Sequence, residues 1–206
     1  MRLRIFPEDD GVLQDLVQLA EQVQEGVRCC SELLAAQHER VFELRELAEA
    51  IDTRVTDLHF GILTTARTTY VLPLPRSDLY ALSDHLARAA EHLVLAAESL
   101  ASSELRGHQS TYTTEQLATV SRMASLSRPA MANLSSLDGL DEYWYDLHRL
   151  RKQSDRTHER HRLELFERLP PAEAFQHLMI ADQLYDSARA MAQLAHEVGR
   201  ITVSEA

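Results

Sequence analysis

The chain has 206 residues, of which 45% are hydrophobic, with six glycines, six prolines and two cysteines. That supplies a sizeable core, and so little Gly and Pro favours long helices over sandwiches or barrels. The formal net charge of −11 argues against the basic surface needed to track phosphate backbones, so no nucleic acid is expected as a partner.

Cys29 and Cys30 are adjacent. Neighbouring cysteines rarely bridge and form no CxxC, so a reducing compartment and small core thiols are expected. Residues 1–7 lack the apolar run of about 7–15 residues that marks a secretory signal. No stretch approaches the ~20 apolar residues of a membrane span. The expected location is cytoplasmic, or peripheral to the inner face of a membrane.

Six helices are predicted from 3.6-residue periodicity and breakers. The first covers about Glu8–Gln37, with Leu16, Leu19, Val23 and Val27 in its inner stripe. The second covers about Glu39–Thr69, with Leu44, Ile51, Val55, Leu58 and Ile62 inward. Pro73 and Pro75 break the chain, and the third helix starts near Arg76, with Asp78 suited to the positive end of its dipole. A linker follows over Ser102–Thr114, around Gly107. The fourth helix covers about Thr114–Leu134, and Pro129 is expected to kink it. The fifth covers about Asp141–Leu169, with Trp144, Leu147, Leu150, Ser154, His161 and Leu165 inward. After Pro170 and Pro171 the sixth covers about Ala172–Val203. No segment has a strand period. Long helices joined by short breaks bury their stripes by lying antiparallel. The expected fold is all-α: six long antiparallel helices as two tandem three-helix bundles, in a single domain over 1–206.

Helix, proline break, helix, with acids on both arms, occurs once in each half. Asp57 and Glu91 flank the first break; Asp155, Asp182 and Asp186 flank the second. An internal duplication is inferred, with repeat one over about 8–104 and repeat two over about 114–203.

The segment Leu72-Pro73-Leu74-Pro75-Arg76-Ser77-Asp78-Leu79 resembles the turn between the second and third helices of PhoU-like proteins, the Pit accessory or phosphate-transport-regulator family. Glu142-Tyr143-Trp144 leading to Asp155, and Leu165-Phe166 before the second break, are similar to further pieces of that family, in order and nearly end to end. The resemblance implies a PhoU-like bundle and a membrane phosphate transporter as partner. It also implies facing E-x-x-x-D pairs that hold a multinuclear, often iron, cluster. Carboxylates at i and i+4 share a helix face, and oxygen-rich sets suit hard cations. Only part of that pattern is present: Thr53, Ala87, Arg88 and Arg151 stand at positions where the family has acids. Asp155, Asp182 and Asp186 are the stronger metal candidates, Asp57 and Glu91 the weaker, for a divalent or iron-type cation. Arg151, one turn before Asp155, has the spacing to neutralise it instead, and Arg88 could do the same for Glu91.

Ten histidines are read chiefly as surface or boundary residues, with His158 the first to inspect as a ligand. No Gly-rich phosphate loop, nucleophile elbow or HExxH occurs, so no enzymatic activity is expected. The leading expectation is a regulator or accessory of inorganic phosphate transport. The alternatives are a metal-binding bundle (Fe, Mn, Mg or Zn) and a helical scaffold for another partner. Association into a homo-oligomer is left open.

Overall fold

The computed structural model describes residues 11–102 and 110–205. The expected start of the first helix at Glu8 and linker residues 103–109 lie outside that set. Six helices follow one another: α1 (Gly11–Ala35), α2 (His38–Thr68), α3 (Arg76–Ser102), α4 (Thr111–Ala132), α5 (Leu140–Arg168) and α6 (Pro171–Glu205). Among the described residues there is no strand. The all-α bundle is as expected, and no helix there is long and apolar enough to cross a membrane.

The ends have local causes. α4 starts three residues before the expected Thr114, because the Ser110 hydroxyl accepts from the Tyr112 N–H at 3.2 Å, satisfying a donor that a helix start leaves unpaired. Gly139, at φ 70° and ψ 9°, provides the left-handed turn into α5 that an L side chain rarely adopts. Pro171 opens α6, where its missing N–H is harmless. Pro129 lies in the last turn of α4, three residues before the end at Ala132. It gives up its own N–H bond to the preceding turn, and the helix continues past it, the Pro129 carbonyl accepting from the Asn133 N–H at 3.0 Å.

The Pro73–Asp78 segment also has a mechanical explanation. Arg76 Nε donates to the Ala66 carbonyl at 2.7 Å, and its guanidinium reaches the Thr69 carbonyl at 3.0 Å. It thus closes the carbonyl end of α2, where a cation also suits the dipole. Asp78 is buried in the first turn of α3 and accepts from Arg200 at 2.6 Å, tying the start of α3 to the end of α6.

Pairs across the helices set their directions. Cys29 with Leu44 and Gln18 with Arg54 make α1 and α2 antiparallel. Gln116 with Ser154 and Ser127 with Tyr143 do the same for α4 and α5. Asp155 with Tyr185 and His158 with Asp182 fix α5 against α6. Helices α1, α2 and α3 all touch one another, as do α4, α5 and α6. The two triplets join through α1 on α4 and, most extensively, α3 on α6. This contact pattern is unchanged when α1, α2, α3 are exchanged for α4, α5, α6.

The core runs through both triplets, with Leu16, Leu19, Leu33, Leu86, Leu93, Leu100, Met123 and Met131 among the fully buried side chains. Each leucine-sized burial contributes roughly 1.5–3 kcal/mol. The α3–α6 seam is close: the Ser187 hydroxyl donates to the Ala89 carbonyl at 2.9 Å. Gly26 lets α1 approach α3, since a Cβ there would meet the Leu93 Cβ at 2.9 Å. Trp144, expected inward, is instead 39% exposed, while Tyr143 is buried. The indole lies over Gly199, where a Cβ would come within 2.8 Å of it, and stacks on His148. The inner stripe of α5 is therefore Tyr143, Leu147, Leu150, Ser154, His158, His161 and Leu165.

Candidate functional site

The acids of the second half lie where α5 runs against α6. Asp155 Oδ1 accepts from Arg151 Nε at 2.8 Å and from the Tyr185 hydroxyl at 3.0 Å. The pairing holds the Arg151 guanidinium more firmly protonated. Burial first, and the Asp155 carboxylate second, push the Tyr185 phenol up. His158 stacks on the Tyr185 ring, centroids 4.1 Å apart and planes 9° from parallel, and its Nε2 donates to Asp182 Oδ1 at 2.8 Å. Asp186 meets Arg189 on its own helix at 3.4 Å, and the Arg189 guanidinium lies 5.9 Å from the Tyr185 ring centre. The result is a continuous chain, Arg151–Asp155–Tyr185–His158–Asp182, crossing the two helices.

Every member of that chain already has a partner. An oxygen-seeking cation would have to displace Arg151 and Tyr185 from Asp155, and His158 from Asp182. A guanidinium cannot ligate a metal and repels one. Among the described residues no group of three or more His, Cys, Asp or Glu side chains is placed to hold a metal ion. The residues present therefore do not fit a carboxylate-bridged cluster.

In the first half Asp57 and Glu91 occupy exposed positions on α2 and α3. Arg88 pairs with Asp84 at 2.9 Å, one turn back, and not with Glu91 as its sequence spacing also allowed. His92, beside Glu91, donates from Nδ1 to Gln183 Oε1 at 2.8 Å across the α3–α6 seam.

Beyond the chain, toward the turn between α5 and α6, the second triplet has a polar interior. Gln116, Ser154, Thr157, His158, His161 and His177 are all buried. Gln116 Nε2 donates to Ser154 Oγ at 2.6 Å, while Gln116 Oε1 and His161 Nε2 are buried with no hydrogen-bond partner among the described residues. Burial, helped by His177, lowers the His161 imidazole to about 4, so it is neutral near pH 7. Sequence periodicity placed His161 inward but gave no sign of His177 or Gln116. His158, the histidine singled out in sequence for its place close after Asp155, is buried one turn after the inward Ser154.

The cysteines are core groups. Both are free and buried, their thiols donating to the Leu44 and Leu93 carbonyls at 3.3 Å each. Burial pushes Cys29 up to about 11 and Cys30 further in the same direction. Thiols so held are poor nucleophiles at neutral pH.

No protein-family model matches the sequence, and no curated protein is significantly similar to it.

Proposed function

We propose that this is a non-enzymatic accessory protein of inorganic phosphate transport, working at the inner face of a membrane by protein contact with a phosphate transporter. The observation that carries the reading is the turn Leu72–Leu79, whose resemblance to the PhoU-like family falls on residues with architectural duties. Arg76 closes α2 and Asp78 ties α3 to α6. The absence of a nucleophile–base pair from the sequence motifs is in keeping with a contact role.

Co-purification from native membranes, combined with phosphate-uptake and polyphosphate assays in a deletion strain, tests it. A phosphate transporter should be recovered and uptake altered. Failure to recover one, with uptake and polyphosphate unchanged, removes the reading.

The second reading is a cation-binding bundle using Asp155, Asp182 and Asp186. It has less support, because Arg151, Tyr185, His158 and Arg189 engage those carboxylates. Protein purified without chelator and analysed for Fe, Mn, Mg and Zn separates the two readings. A stoichiometric metal would favour the second.

A further inference from the structure

The two outermost helices carry opposite charge between matching apolar residues. Helix α2 packs only on α1 and α3, and α5 only on α4 and α6, while the triplets meet through α1–α4 and α3–α6. Helices α2 and α5 therefore lie on opposite sides of the molecule. On α2, Phe42 and Phe60 are each 69% exposed; on α5, Tyr145 and Leu163 are 65% and 57% exposed. Both pairs are 18 positions apart, which is five helical turns or about 27 Å. Between Phe42 and Phe60 stand five acids and two bases, net −3; between Tyr145 and Leu163 stand six bases and three acids, net +3.

These charges face solvent. Glu43, Glu46, Glu49 and Asp57 are exposed on α2, and Arg149, Lys152, Arg156 and Arg160 are exposed on α5. Arg149 pairs with Asp146 on its own helix. The other seven form no ion pair among the described residues. Exposed large apolar side chains framing solvent-facing charge with a clear excess of one sign are the composition of an interaction surface.

We propose that the chain associates with itself head to tail, the outer face of α2 in one copy lying along the outer face of α5 in the next. A second copy accounts for both faces at once, with apolar ends meeting apolar ends and the acidic stretch meeting the basic one. An anionic lipid surface would use α5 alone, and the net charge of −11 would oppose it. Because the two faces are on opposite sides, the contact is heterologous and propagates into a ring or an open chain. One helix lying on one helix is a small interface, so the association is weak and falls with salt.

Sedimentation velocity of the full chain tests this with two charge-reversed variants, Glu46→Lys/Glu49→Lys and Lys152→Glu/Arg156→Glu. In about 20 mM salt the wild-type mass should rise with concentration above the 23.4 kDa of one chain, and return to it in about 0.5 M salt. Each variant alone has two faces of the same sign and should stay monomeric. Their equimolar mixture restores opposite faces and should associate as the wild type does. A wild type that stays monomeric, a variant that associates unaided, or a mixture that stays monomeric overturns the proposal. So does a monomeric wild type that sediments with phosphatidylserine vesicles through Lys152 and Arg156, which would assign the α5 face to lipid.

Discussion

One end of the molecule contains a natural comparison, because each triplet reaches it as three packed helix ends, and the two fill the space between those ends differently. In the first triplet the space between the end of α1, the start of α2 and the end of α3 holds Cys29, Cys30, Leu33, Val41, Leu44, Ala97 and Leu100. In the second the space at the same end of the molecule, between the start of α4, the end of α5 and the start of α6, holds Gln116, Ser154, Thr157, His158, His161 and His177. The first is stabilised by removing apolar surface from water. The second depends on hydrogen bonds whose net contribution is small and whose failure is costly. Packing three helix ends together therefore does not dictate core chemistry. Similar contacts between helices coexist with one space lined by apolar side chains and buried thiols and one that contains a buried neutral histidine.

The sharpest contrast comes from truncating the apolar end. Leu100→Ala removes a fully buried side chain and should destabilise the protein by about 3–4 kcal/mol in urea unfolding. A loss below about 1 kcal/mol would mean that this end is not the better packed of the two.

Acid should act on the polar space instead. His161 has a folded pKa of about 4, below its ordinary 6.5 because of burial. The unfolded chain therefore binds the extra proton first. Stability from this residue is fully present above the unfolded value, declines as pH falls from about 6.5 to about 4, and changes no further below that. The full effect should be about 2–3 kcal/mol. His161→Phe should flatten the slope in that window, measured as midpoint denaturant concentration against pH. An unchanged slope would show that the charge is accommodated.

The tie between Asp78 and Arg200 lies at the opposite end and joins the two triplets. Asp78→Asn keeps the shape but removes the charge, and should cost about 1–2 kcal/mol. Thermal unfolding should remain a single transition at a lower midpoint. Two separated transitions would show that the triplets unfold independently.

The smallest effect is expected at Gln116. Gln116→Met removes the buried Oε1 that has no partner, but also the donor to Ser154. The two changes oppose each other, so stability should move by less than about 1 kcal/mol.

Much of the fold was legible in sequence, and the reasons are local. Pro73, Pro75 and Asp78 placed the start of α3 near Arg76, where it lies. Gly139 and Pro171 placed two more starts within one residue. The start of α4 was missed because Ser110 sits in a run of hydroxyl residues, any of which makes a reasonable cap. The stripe on α5 was misjudged at Trp144 because hydrophobicity alone favours burying tryptophan over its neighbour Tyr143. What decided otherwise is Gly199, 55 positions later in sequence, which opens a shelf for the indole.

The candidate site was legible along each helix and illegible between helices. The four-residue spacing of Arg151 and Asp155 announced their pairing, and the 2.8 Å bond is there. Tyr185 on Asp155 and His158 on Asp182 depend on the register of α5 against α6, which periodicity within one helix does not encode. The same gap explains Arg88, which had acids one turn away in both directions and took Asp84.

Hydrogen exchange followed by mass spectrometry at pH 7 and pH 5 tests the central contrast most directly. Peptides covering 154–165 and 174–181 should lose protection at pH 5, after correction for the intrinsic rate. Peptides covering 41–48 and 93–101 should keep theirs, since local opening follows the stability of each packed unit. Equal changes at the two places, or a loss confined to the apolar one, would contradict the account.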